Sequence, residues 1–151
     1  MGSQGIRVAL QLALGIVIVG LAYWLYVSIT KPYEAVERRK ELTEMTRARM
    51  DDIRVAMIQY ERKYDRFPMT LDSLVMFVRT DSLLSLRPDS IFGAGFMLDS
   101  LSYSPRTRKL FSLSVNDTSR VKIYLLQDPD SDDRIGSTSP DLTLLNAASW
   151  E

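Results

Sequence analysis

From Val8 to Thr30 the chain carries no charged side chain, and only Gln11, Ser28 and Thr30 are clearly polar. A helix of about 23 residues is roughly 34 Å long, enough to cross a hydrocarbon core of about 30 Å. Few folds can absorb such a run. The helix of a soluble core is usually shorter, and the apolar region of a cleaved signal peptide is about half this length and ends in small residues. Val27-Ser28-Ile29 supplies no such site. Tyr23, Trp24 and Tyr26 gather towards one end, where amphipathic rings favour the lipid–water boundary, and Lys31-Pro32 closes the span. The expectation is an uncleaved transmembrane anchor over residues 1–31 and a soluble domain over residues 32–151, with the lipid bilayer as first partner. Gly2 stands where a myristoylated glycine would, but Ile6 holds the position that needs a hydroxyl.

What remains after the anchor is enough for one modest domain. Lys and Arg together number 19, as do Asp and Glu, so no basic field draws the chain to nucleic acid. The absence of cysteine excludes a disulfide scaffold, a thiolate zinc site, a redox pair and a lipoprotein-type lipid anchor. The absence of histidine removes the usual proton shuttle and the commonest transition-metal ligand. A serine nucleophile would have no imidazole base, and no glycine-rich phosphate loop follows a strand. The chain reads as non-catalytic, with no cofactor and no small-molecule substrate.

Beyond Pro32, which either kinks one long helix or begins a new one, the residues to about Tyr64 favour helix and include no Gly or further Pro. Glu34, Glu37, Arg38, Lys40, Glu41 and Glu44 lie at helical spacings that suit a solvated stretch. Met50, Ile53, Met57, Tyr60 and Tyr64 then step by three and four, an apolar stripe along one face, which predicts a packing surface rather than a ligand site. Phe67-Pro68 stops this helix. Thr70 is placed to cap a second one, with Asp72 in its first turn and Leu71, Leu74, Val75 and Val78 as its buried side. Residues 80–95 show no regular period. Afterwards the period becomes two: Leu101 and Tyr103; Phe111, Leu113 and Val115; Val121, Ile123 and Leu125. Turn-rich stretches at 104–108 and 116–119 separate these runs, and the pattern predicts a three-stranded antiparallel meander covered by the Met50–Tyr64 stripe. Residues 128–151 read as polar loop, with Leu142, Leu144, Leu145 and Trp150 available to tie it down. The expected fold class is α+β.

A long apolar N-terminal helix running into an amphipathic one and then a small antiparallel sheet resembles the pilin and pseudopilin architecture. Tyr60, Tyr64, Arg66, Phe67, Pro68 and Leu74 are similar to a segment of the type II secretion major pseudopilins, where a tyrosine-bearing helix ends in Gly-Arg-Tyr/Phe-Pro and a leucine follows. Asp65 stands at that glycine, and Asp tolerates a left-handed conformation better than most residues. Asn146-Ala147-Ala148-Ser149-Trp150 resembles the family's closing Asp-Ile-Xaa-Ser/Asn-Trp. One departure matters. If Gly5 were the glycine before the prepilin cleavage site, the family's fifth-residue Glu would be Leu10, and no acidic residue occurs before Glu34. The resemblance therefore implies a pilin-like fold kept as a permanent anchor, not an ordinary filament subunit.

Asp128, Asp130, Asp132 and Asp133 form the one cluster with ligand chemistry. Carboxylates at alternate positions suit a hard cation such as calcium, which the resembling family binds in its C-terminal loop. An EF-hand would need Gly and Glu where Asp133 and Ser139 stand, so solvated, turn-forming aspartates are the plainer expectation. The resemblance further implies a bacterial inner-membrane protein with a periplasmic domain, acting by protein–protein contacts in a secretion or envelope-spanning assembly, with other subunits or copies of itself. An accessory subunit of another inner-membrane complex, a respiratory one for example, is the alternative. Charge opposes the orientation, since only Arg7 precedes the span while Lys31, Arg38, Arg39, Lys40, Arg47 and Arg49 follow it. A short N-terminal tail and a long C-terminal domain, which translocates largely regardless of charge, weigh for export.

Overall fold

The computed structural model of the protein describes residues 2–93, 95–117, 121–139 and 141–151. The fold is α+β: a long N-terminal helix and a small three-stranded antiparallel sheet. Helix α1 (Gly2–Tyr64) continues through Pro32 without a break. The chain forms two compact units, residues 1–41 and 42–151. Hydropathy changes after residue 31, whereas the packed unit begins at Leu42.

In the first unit the apolar run has no protein cover, with Leu10, Leu14, Ile18 and Leu21 all exposed. It is one helix long and apolar enough to cross a membrane, consistent with a single-pass membrane protein. Thr30 donates its hydroxyl to the Tyr26 carbonyl at 2.8 Å, a local bond that suits a polar side chain at the end of an apolar segment. Past the span, the helix to Glu41 is solvated on every described side.

In the second unit the expected stripe is buried from Met50 to Met57 and emerges towards solvent at Tyr60 and Tyr64. Thr46, Met50, Ile53, Ala56 and Met57 are fully inaccessible, Tyr60 is half-buried, and Tyr64 is exposed. Thr46 tolerates burial because its hydroxyl donates to the Leu42 carbonyl at 2.7 Å. The helix stops at Asp65, whose φ of 52° is left-handed and whose N–H still bonds the Glu61 carbonyl at 2.8 Å. Phe67 and Pro68 then turn inward, and the Phe67 ring lies 4.8 Å from that of Tyr124. Helix α2 (Leu71–Thr80) starts where its cap predicts, the Thr70 hydroxyl accepting from the Ser73 N–H at 3.2 Å. It buries Leu71, Leu74, Phe77 and Val78, with Val75 half-buried at the margin.

Residues 80–95 depart from expectation, holding two short helices, α3 (Ser82–Leu86) and α4 (Pro88–Ile91). Local chemistry sets both starts: the Asp81 carboxylate accepts from the Leu83 and Leu84 N–H groups at 3.0 and 3.3 Å, and Pro88 occupies the first turn of α4. Helices of five and four residues are too short to display a period.

The sheet is β1 (Ser112–Asn116), β2 (Ile123–Gln127) and β3 (Arg134–Gly136), in that order. Three expectations are corrected. Leu101 and Tyr103 do not form a strand, because the turn between Ser104 and Lys109, with Arg108 at φ 60°, leaves room for a single bridge between Tyr103 and Leu110. The third strand is β3 instead, within the segment read as polar loop. The core face of β2 is also the opposite of that expected: Tyr124 pairs with Val115 and Leu126 with Leu113, and both are buried in the core with Phe111 and Ile135. Ile123 is buried as well, which masks the alternation. Of the expected turn at 116–119, residues 118 and 119 lie outside the described residues.

Met57 shares one core with Tyr124, Leu126 and Ile135, so Met57→Ala in the full chain in detergent should cost about 2–5 kcal/mol. Glu41→Ala, at an exposed position, should leave thermal unfolding nearly unchanged. Differential scanning calorimetry on both variants checks the contrast.

Candidate functional site

Two turns face one another beside α1: residues 104–109, and residues 128–133 between β2 and β3. The second holds the aspartates singled out for their ligand chemistry, and its ends are tied by the Asp128 N–H donating to the Asp133 carbonyl at 3.0 Å. Asp128 is fully buried and Asp133 nearly so, contrary to the expectation of solvated side chains. Arg106, in the first turn, reaches both: its guanidinium donates to Asp128 Oδ2 at 3.1 Å and to Asp133 Oδ2 at 3.2 Å. It also donates to the Thr43 hydroxyl of α1 at 3.0 Å. Arg47 of α1 donates to Asp133 Oδ1 through both Nε and a terminal nitrogen, at 3.2 and 3.0 Å. Ser131 donates to Asp128 Oδ2 at 2.7 Å.

Two carboxylates and two guanidiniums therefore form one charge-balanced network, and desolvation makes its pairing obligatory. Asp128 Oδ1 is buried and accepts no hydrogen bond from the described residues. The other two calcium candidates point elsewhere. Asp130 meets Lys109 at 2.8 Å, and that hydrogen bond is the chief cause holding its carboxyl below the ordinary range. Asp132 is exposed, and its backbone carbonyl accepts from the Ser149 hydroxyl at 3.4 Å. The structure thus brings Asp128 and Asp133 together around arginine and does not gather Asp128, Asp130 and Asp132 into a cation cup. Among the described residues no group of three acidic side chains is placed to hold a metal. Arg106 and Arg47 were not legible as partners, since no spacing motif links residues so far apart.

The segment 146–151 docks beside this network. Gly136 donates to the Ala147 carbonyl at 2.9 Å, Ser149 to the Arg134 carbonyl at 2.9 Å, and Ala148 bridges Ile135. Gly136 sits at φ 81°, and a Cβ there would meet the Tyr124 carbonyl oxygen at 2.2 Å, so a side chain cannot be accommodated. The Tyr124 hydroxyl donates to Asn146 Oδ1 at 2.8 Å. The Trp150 ring packs on the core under the Arg47 guanidinium, 5.3 Å from its centroid. Arg54 reaches the Asn146 carbonyl at 3.1 Å, Glu151 at 3.0 Å and Asp51 at 2.9 Å.

No family model, curated protein or solved structure matches the chain. The arrangement of side chains offers a braced surface: every carboxylate of the facing turns but Asp132 is engaged by a cation.

Arg106→Ala would strand the buried Asp128 and should cost about 3 kcal/mol. Added calcium should leave the melting temperature of the unaltered chain unchanged. A calcium-dependent rise, lost in Asp130→Ala with Asp132→Ala, would mean that the turn opens into a cation site.

A second electrostatic feature lies on α1. Burial, and then the neighbouring Asp51 carboxylate, push Asp52 from its ordinary 3.8 up to about 6. The folded chain then holds this proton more tightly than the unfolded one. The associated stability is present in full below the unfolded value and is lost as pH rises through about 6. Asp52→Asn should accordingly stabilise the protein at pH 7.5, by on the order of 1 kcal/mol after screening by solvent, and do little at pH 4. Melting curves at the two pH values test the sign.

Proposed function

We propose that this chain is a non-catalytic, single-pass component of a bacterial inner-membrane assembly of the secretion type, pseudopilin-like, with its C-terminal domain outside the cytoplasm. The observation that carries the reading is the junction at the end of α1. There an exposed apolar helix that runs on into an amphipathic one ends at a left-handed Asp65, and Arg66, Phe67 and Pro68 turn the chain into the core of a small antiparallel sheet. That is the conformation required if Asp65 stands in for the glycine of the pseudopilin turn. The docked 146–151 segment, with Trp150 against the core, supports the same reading. Its work would be done through contacts, since the polar clusters described are engaged in holding the domain together. Leu10 in place of an acidic residue favours a permanent anchor over a subunit released from the bilayer.

Isolation from native membrane in mild detergent, with identification of the accompanying proteins, tests the assembly. Secretion or pilus components are expected; electron-transfer subunits would support a respiratory accessory role instead. Protease added to cells with a permeable outer barrier and a sealed inner membrane should digest the domain. Full protection until the inner membrane is lysed would place it in the cytoplasm and remove the main support for the pseudopilin reading.

A further inference from the structure

On the second unit, away from the aspartate turns, the C-terminal end of α1 and the helices α2, α3 and α4 enclose an open groove of about 590 Å³. Its floor is apolar, made by the buried Phe77 and Leu84 with the half-buried Ile91. Leu83 forms part of its lining yet is 75% exposed, and Leu86, one turn further along α3, is 78% exposed. Each is more exposed than any other large apolar side chain described in this unit. The groove also has a definite charge. Lys63 is spent on Asp81 at 2.7 Å, and Asp81 in turn caps α3. Arg62 and Arg87 remain, lining the groove with no acidic partner among the described residues.

An apolar floor beside two unpaired guanidiniums selects an occupant that is both apolar and acidic. We propose that this groove is a docking site for an acidic amphipathic helix of a partner protein in the same membrane. Its apolar side chains would enter over Phe77, Leu84 and Ile91, and its carboxylates would pair with Arg62 and Arg87. The extension of apolar surface along α3 to Leu86 favours a helix over a compact small molecule, because a helix continues past the groove and covers both exposed leucines. The inference gives a place and a chemistry to the contacts on which the proposed function rests.

The test uses the full chain in lipid nanodiscs and a fluorescent synthetic helix with leucines on one face and glutamates flanking it, beside its lysine-for-glutamate twin. Anisotropy should show the glutamate peptide binding about tenfold more tightly than the twin. Arg62→Glu with Arg87→Glu should reverse that preference, and Leu83→Ser should weaken both peptides. These residues are exposed, and circular dichroism should show each variant folded. Equal binding of the two peptides, or binding unaffected by the charge reversal, would overturn the proposal. So would sodium oleate binding in the groove where neither peptide does, which would mark it as a lipid site. If the Arg62→Glu, Arg87→Glu chain still co-purifies with its full set of native partners, the docking site is wrong although membership of an assembly stands. If the unaltered chain binds the peptide as expected but comes from native membrane alone, the assembly reading fails and the groove survives.

Discussion

The apolar face of α1 from Met50 to Met57 is the contact on which the second unit depends. Strands of five, five and three residues cannot form a stable sheet on their own, because too little apolar surface is gained for the backbone order imposed. Met50, Ile53, Ala56 and Met57 share one core with Phe111, Tyr124, Leu126 and Ile135, and α2 closes the same core through Leu71, Leu74, Phe77 and Val78. The aromatic contacts sit where the helices turn. Tyr60 meets Phe77 edge-on at 5.0 Å, and Phe67 leans on Tyr124.

Apolar burial brings helix and sheet together, but it tolerates sliding, and polar groups supply the register. Arg106 joins the 104–109 turn to the β2–β3 turn and to α1 at once, while Arg47 adds a second tie from the helix to Asp133. Removing the guanidiniums would leave the buried Asp128 and Asp133 unpaired, so the cluster acts more as a constraint on geometry than as a source of net stability. The same economy explains why its aspartates are poor candidates for a cation. Their oxygens already face guanidinium groups, and a divalent ion would have to displace or approach two positive charges.

How much of this was legible depends on the range of the interaction. The membrane-length run, the Met50–Tyr64 stripe, of which Met50 to Met57 is buried, and the Thr70 cap are each local to one helix, and the sequence spacing displays them directly. β1 was visible because its outer residues Ser112, Ser114 and Asn116 are polar. β2 was found, but its inner face was assigned wrongly, since Tyr124 looks amphipathic until its hydroxyl is seen bonded to Asn146. β3 is three residues long and owes its existence to partners on either side, β2 and the 146–151 segment, so no local pattern announces it. The aspartate turn was recognised as unusual while its meaning was missed: the decisive arginines stand 22 and 86 residues away. An ion pair between distant segments leaves no period behind.

Gly136 carries a consequence for the order in which the domain closes. A side chain at this position would collide with the Tyr124 carbonyl oxygen and crowd that of Leu145, so only glycine lets the chain leave β3 this close to β2 and to the returning C-terminal segment. Until residues 146–151 leave the ribosome, the outer edge of β3 lacks its Ala147 and Ala148 partners, and Trp150 cannot cover the core. Between the emergence of β3 and that of residues 146–151, this edge of the sheet is open to pairing with foreign strands. Holding the preceding helix in a bilayer would keep neighbouring nascent chains apart during that interval.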